Sequence, residues 1–495
     1  LWSNKLSTKA AHIEHLWLVN MALVGSRLAP IVLKESRGFR FLPRVILWSP
    51  TPAKILKKTK VIMIQVNGRA YAKPQRPTVI VCLDGCDPRY LNVGNASEVF
   101  PNISRMMREG FFTLADAAMP TFTNPNNVSI VTGAPPALHG ISGNYYLDRN
   151  SGKEIMIVDA SPMRATTILA EMSRAGVRVA AVTAKDKLRK MLGHRMEGGI
   201  CFSSEKAAHA TRDENGIDNV EALVGRPSPD MYSPDLSLFV LDAGIKLLEQ
   251  DSADLFYLSL SDLVQHAHGP GELEADAFHS AVDARVGRLA GLGAVVGLIA
   301  DHGMNDKTDA DGTPRVVFLE EELNERFGSE AVRVICPITD PFVKHHGALG
   351  SFVRVYLRKP LELAAVMDAT AALPGIALVL DGKSAAGRYE MPLDREGDFV
   401  AIGDTHAVIG ASRAEHDLTG LHGHRLRSHG GLSEQVVPFI VSHPVNEKYA
   451  NLEKTRRLRN FDIFDFVLNG VLSSDSDVRK QARLPLMRTS ESKEL

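Results

Sequence analysis

Short apolar runs that break off at acidic or imidazole side chains set the pattern of this chain. Thr78 to Leu83 stops at Asp84, and Val295 to Ala300 stops at Asp301 and His302. A third run, LFYLSLSD, ends at Asp262, with His266 just beyond it. Continuous apolar stretches of this length read as parallel strands buried on both faces. VRVAAVT (Val177 to Thr183) is another, ending just before Lys185, and Val436 to Val441 makes a late one. Between the runs the period turns helical. SPDLSLFVLDAGIKLLEQ places Leu236, Phe239, Val240, Leu247 and Leu248 on an apolar stripe, with Ser233 as N-cap and Pro234 as the first helical residue. PNISRMMREG starts a helix at Pro101, TFTNPNNVSIVTG opens another, and LEADAFHSAVDARVGRLAG leads to the strand before Asp301. This alternation predicts an α/β fold with a mostly parallel sheet flanked by helices.

Between about Asn305 and Arg427 the rhythm changes. VRVICPI, SFVRVYL and DFVAIG read as short strands beside a helical LELAAVMDATAAL. The expected division is an α/β core over 61–304 and 428–472 with an inserted α+β cap over 305–427. Residues 1–60 form a basic N-terminal extension, in which eleven lysines and arginines face only Glu14 and Glu35. Its apolar stretch LWLVNMALVG is shorter than the roughly 20 residues a membrane span needs. The lack of Met at position 1 points to an upstream extension of the reading frame. Residues 473–495 read as a polar, disordered tail.

At 495 residues, 44% hydrophobic and 23% charged, the composition is that of an ordinary globular protein. A formal net charge of -1 gives no electrostatic case for nucleic acid or a membrane surface. The 4 cysteines, Cys82, Cys86, Cys201 and Cys336, form no CxxC pair, so reduced thiols in a cytoplasmic protein are expected. No glycine-rich phosphate loop is present.

In open α/β sheets ligands collect outside the carboxyl ends of the strands. Carboxylates and imidazoles gathered there are metal ligands first of all. Asp84, Asp262-x-x-x-His266, Asp301-His302 and a late RSHGG containing His429, together with Thr123 in TFTNPNN, make one pattern. From about Val66 to about Leu468 it resembles the alkaline phosphatase superfamily, nearest its nucleotide phosphodiesterase branch. Within that branch, LDGCDP, TAKDKLR and SHGGLSEQVVPF resemble phosphonoacetate hydrolases.

The resemblance implies an alkaline-phosphatase-like core and two zinc ions. Asp262, His266 and His429 would hold one, and Asp84, Asp301, His302 and the Thr123 hydroxyl the other. It makes Thr123 the nucleophile and gives Asn144 an amide hydrogen bond to a phosphoryl oxygen. It also gives Lys185 and Lys187 the substrate carboxylate. The residues themselves fit: metal coordination favours the alkoxide of an otherwise poor nucleophile, and a metal pair can clamp an in-line phosphoryl displacement. Lys185 and Lys187 are read as lying on one face of an extended segment, by the period-two rule. The expected reaction is attack of Thr123 on phosphonoacetate, loss of acetate, and hydrolysis of phosphothreonine to phosphate.

Competing histidines are set aside: His268 beside the Asp-x-x-x-His motif, and His422 and His424 before SHGG. His345 and His346 in the cap remain candidates for substrate contact, while Asp87, Asn126 and Asn127 are read as turn and cap residues. Two other functions stay open, a nucleotide phosphodiesterase or pyrophosphatase and a non-catalytic phosphoryl-ligand binder. A sulfatase is disfavoured by the lack of Cys-x-Pro-x-Arg, and a serine-dependent phosphoglycerate mutase ranks lower still. The expected partner is a small molecule, with a homodimer left open.

Overall fold

The computed structural model describes residues 62–92, 96–340, 347–421 and 423–472. The basic extension, the polar tail, His345, His346 and His422 lie outside these residues. An eight-stranded sheet forms the centre. Its spatial order is Leu458–Arg459, Phe111–Asp116, Val436–Val441, Val295–Ile299, Thr78–Cys82, Leu255–Ser259, Val179–Thr183 and Ile200–Ser203. The five strands from Val295–Ile299 to Ile200–Ser203 run parallel. The three innermost, with Val179–Thr183, are buried at every position, as both-face coverage by helices requires. Val436–Val441 runs antiparallel to its neighbours on either side.

This topology decides where chemistry can sit. Parallel strands ending near Asp84, Lys185, Asp262 and Asp301 deliver all four to one edge. Because Val436–Val441 runs the other way, the loop before it, which carries His429, reaches that same edge. Phe111–Asp116 points with the parallel set and feeds the Thr123–Thr132 helix.

Residues 332–403 build a second sheet, fully antiparallel, ordered Val332–Ile335, Phe352–Leu357, Phe399–Gly403 and Ile376–Asp381. It packs its own apolar core with Leu319, Leu323, Val366 and Tyr389 from the helices Leu319–Phe327, Leu363–Ala371 and Gly382–Tyr389. The chain leaves the first sheet and returns to it through a two-rung ladder, Asn305 opposite Ser428 and Asp306 opposite Arg427. No helix of the described residues is long and apolar enough to cross a membrane. The four cysteines are buried and unpaired.

One helix start differs from the sequence reading. The helix Asp235–Glu249 begins one residue later, with Pro234 outside it in helical geometry. The Ser233 hydroxyl accepts from the Asp235 N–H at 3.2 Å, so the capping side chain is right and its register shifts by one.

Candidate active site

Three histidines meet at the sheet edge with their tautomers fixed. His266 Nδ1 lies 2.7 Å from the Arg427 carbonyl, His429 Nδ1 2.8 Å from the Thr121 carbonyl, and His302 Nδ1 2.9 Å from the Gly303 carbonyl. A carbonyl only accepts, so each Nδ1 donates its N–H and each Nε2 is turned toward the site. Imidazoles oriented this way by a backbone acceptor are the usual state of metal ligands. The His302 and His429 rings stack with centroids 3.6 Å apart.

The Nε2 atoms face carboxylates. His266 Nε2 is 2.9 Å and His429 Nε2 3.7 Å from Asp262 Oδ2, while His302 Nε2 is 3.4 Å from Asp84 Oδ1. Two donor groups result, Asp262–His266–His429 and Asp84–Asp262–His302, each with its ligand atoms within 4.8 Å of one another. Asp262 belongs to both. Asp301 Oδ2 lies 3.8 Å from His302 Nε2, and its oxygens also accept from the N–H groups of Gly85 and His302 and from Asn127 Nδ2. The structure thus brings all six named carboxylate and imidazole residues together.

The electrostatics call for a cation. Burial pushes the Asp84 carboxyl well above its ordinary range, with the Asp262 and Asp301 carboxylates adding to it. Burial also opposes ionisation of Asp262, but His266, then His429 and His302, hold it well below that range. His429 is held well below the ordinary histidine range by burial and by His302. Two like charges about 4 Å apart repel by about 4 kcal/mol at an effective dielectric of about 20. Three carboxylates cannot share this space ionised without positive charge. Asp84 Oδ1 is buried with no hydrogen-bond partner. An orphaned carboxylate oxygen beside the His302 Nε2 and the Asp262 carboxylate fits a dication, which would reverse the cost.

Thr123 is the first residue of its helix and its Oγ1 sits 3.1 Å from His302 Nε2. The helix N-terminus favours negative charge at that hydroxyl and on a phosphoryl group beside it. Thr121 locks this turn to the last histidine. Its Oγ1 accepts from Gly430 N–H at 3.0 Å and donates to the Gly431 carbonyl at 2.8 Å. Gly430 needs its glycine, with φ of 116° and a Cβ position that would lie 2.5 Å from the Phe122 ring.

One cavity of about 450 Å³ is lined by Asp84, Thr123, Asp262, His266 and His429, and also by Asn144, Lys185 and Lys187. Asn144 Nδ2 donates to the Ile338 carbonyl at 3.2 Å and Oδ1 accepts from Asn124 at 2.6 Å, leaving one amide N–H for a ligand. The lysines correct the sequence reading. Lys185 is extended, but Lys187 lies in the first turn of the helix Asp186–Leu192, so the two do not share a strand face. Helix geometry, not period two, brings them to the same cavity. Lys187 is ion-paired with Asp340. Lys185 Nζ lies 5.7 Å from the Tyr232 ring centroid and donates to the Met231 carbonyl at 3.3 Å. Among the described residues no ion pair engages Lys185. Burial pulls both lysines below the ordinary lysine range.

Several contributors escaped the sequence. Asp340 sits in CPITDP, which reads only as a turn. Asn127 does more than cap: its amide donates to Asp301 at 3.1 Å while its carbonyl oxygen accepts from Tyr257 and Ser259. Asp87 and Asn126 are loop-holding residues, accepting from the Arg89 and Ala118 N–H groups. His268 bonds Glu272 at 3.2 Å and packs near His424, and neither belongs to the two donor groups.

Residues 78–425 match the type I phosphodiesterase / nucleotide pyrophosphatase family, and the chain belongs to that family. Among solved structures it is similar to phosphonoacetate hydrolase from Sinorhizobium meliloti, at 46% identity over 82% of this chain and 98% of that one. The TM-score is 0.78 for the complex with phosphonoacetate and 0.79 for that with phosphonoformate. A phosphonoacetate hydrolase from Penicillium oxalicum is 52% identical over 46 residues, 9% of this chain and 64% of that sequence. Murine ectonucleotide pyrophosphatase / phosphodiesterase 5 shares the fold, at 19% identity over 82% of this chain and 99% of its own, with a TM-score of 0.53. The fold is the alkaline-phosphatase-like α/β fold expected from the sequence.

Proposed function

We propose that the protein hydrolyses the carbon–phosphorus bond of phosphonoacetate to acetate and phosphate. The observation that carries this reading is a single cavity lined by Thr123, Lys185, Lys187, Asp84 and the Asp262–His266–His429 donor group. The relatives named for phosphonoacetate support the substrate. Asp262, His266 and His429 would hold one zinc ion, and Asp84, Asp301, His302 and Thr123 a second, with Asp262 near enough to serve both. Bound zinc would supply Lewis acidity and stabilise the threonine alkoxide. Thr123 Oγ1 attacks phosphorus, and the Asn144 amide holds a phosphoryl oxygen. Lys185, whose charge has no carboxylate partner among the described residues, takes the substrate carboxylate, with Lys187 beside it. Charge leaving the P–C bond spreads into that carboxylate as an enediolate, so these ammonium groups act where charge develops. Acetate departs after protonation, and water cleaves phosphothreonine.

A nucleotide phosphodiesterase is the second reading. Tyr232, half exposed beside Lys185, offers the aromatic face a base would need. Acetate and phosphate release from phosphonoacetate, measured against cleavage of an aryl phosphodiester, separates the two. We expect the phosphonate to be the better substrate. We also expect Thr123→Ala to lower turnover by roughly 10⁴-fold or more, as loss of a nucleophile does. Phosphate release that survives Thr123→Ala unchanged rejects the covalent route.

A further inference from the structure

Behind the donor groups, the turns that follow three of the ligands run into one polar network, buried at Asp87, Asn305, Lys307 and Glu434 and open to solvent at Arg89. After Asp84, Asp87 pairs with Arg89 at 2.8 Å. Arg89 donates to the Met304 carbonyl at 2.7 Å and to Asn305 Oδ1 at 2.5 Å, just past Asp301 and His302. Asn305 Nδ2 donates to Glu434 Oε1 at 2.5 Å. Glu434 follows His429, and its Oε2 accepts from Gly431 N–H at 2.9 Å while its backbone carbonyl accepts from Gly303 N–H at 2.8 Å. Lys307 Nζ completes the carboxylate at 2.9 Å and donates to the Thr405 carbonyl at 3.0 Å. Lys307 and Glu434 side chains are both 0% exposed. The turns are packed without slack: a Cβ on Gly303 would lie 2.8 Å from Asp87 Oδ2.

A buried ion pair is seldom the most stable filling for such a space; apolar side chains often serve as well or better. An apolar pair would not accept the Gly431 N–H and the Asn305 amide at once. Those two bonds tie the His429 turn to the His302 turn, and Arg89 extends the tie to the turn after Asp84. We propose that Glu434, held by Lys307 and Asn305, is the positioning residue that sets the spacing of His302 and His429 and thereby the zinc affinity of the site. This rests on the two-zinc reading above.

The test strips the full-length protein of metal, refills it with zinc and measures affinity by competition with a chelator. Glu434→Gln is expected to weaken zinc by about 10- to 100-fold, the usual effect of losing an outer-shell partner, and to shift the visible spectrum of the cobalt-substituted protein. Glu396→Gln breaks another fully buried pair, Arg354–Glu396 at the second sheet. It is expected to lower stability while keeping wild-type zinc affinity. Equal zinc affinity in wild type and Glu434→Gln, or equal loss in both variants, overturns the inference alone. A wild-type chain that takes up no zinc overturns the two-zinc reading and this inference with it. Should Glu434→Gln be recovered only unfolded, Asn305→Ala decides: several-fold weaker zinc is expected, and unchanged affinity overturns the role.

Discussion

The cavity has two walls built on different principles. On the donor wall four of the six side chains are anchored by backbone: three imidazoles by carbonyls and Asp301 by two N–H groups. On the lysine wall the holding contacts include side chains from far along the chain, with Lys187 paired to Asp340 and Lys185 facing Tyr232. Backbone anchors belong to the sheet edge and move only with it. Side-chain pairs can be exchanged one residue at a time. Chemistry is therefore fixed on one wall while the other is open to retuning, and a family sharing one reaction centre can vary its substrates.

Stripping metal tests the donor wall most severely. Activity should fall to background on chelation and return with zinc, and the midpoint of thermal unfolding should drop, because an ion bound only by the native state stabilises it. An unchanged midpoint after complete metal removal would deny the donor groups their role. Next in size is Lys185→Ala. One charge-assisted hydrogen bond is worth about 1.5–3 kcal/mol, so kcat/KM for phosphonoacetate should fall by roughly 10- to 100-fold. Aryl diester cleavage should change far less.

Lys187→Ala sharpens the contrast, since it also removes the ammonium group paired with the mostly buried Asp340 carboxylate. Adding Asp340→Asn should recover part of the loss, and a double variant no better than the single would show that Asp340 is a bystander. The pH profile is a milder probe. Both ammonium groups lie below the ordinary lysine range because of burial. A lysine binds the carboxylate only while protonated, so KM should begin to climb at a pH below that range as the charge is lost. A KM flat through the ordinary lysine range would contradict this. Smallest of all, His268→Ala should change kcat/KM by no more than about two-fold, the usual scale of a surface substitution.

The two walls also differ in how far the sequence revealed them. Asp84, Asp262 and Asp301 were legible because each interrupts an apolar run at a strand end, a signal that needs no tertiary knowledge. Thr123 and His429 followed from local motifs. The lysine wall was half legible: TAKDKLR named the residues, yet period two gave the wrong local geometry, because the chain enters a helix at Asp186. Asp340 went unmarked, and Glu434 stood inside SHGGLSEQVVPF without a role. Each acts through a partner over a hundred residues away, and no periodicity or spacing marks such a pairing. Asn127 was misread for a related reason, since its reach to Asp301 crosses from helix to strand end.

The reversed course of Val436–Val441 has a consequence for synthesis. It lets the final imidazole reach an edge that every other donor reaches from below, but it places that imidazole far behind the other donors in the order of synthesis. A nascent chain shows the ribosome's surroundings five of the six carboxylate and imidazole donors long before the last arrives. The two donor groups are both complete only once Val436–Val441 has inserted between Phe111–Asp116 and Val295–Ile299.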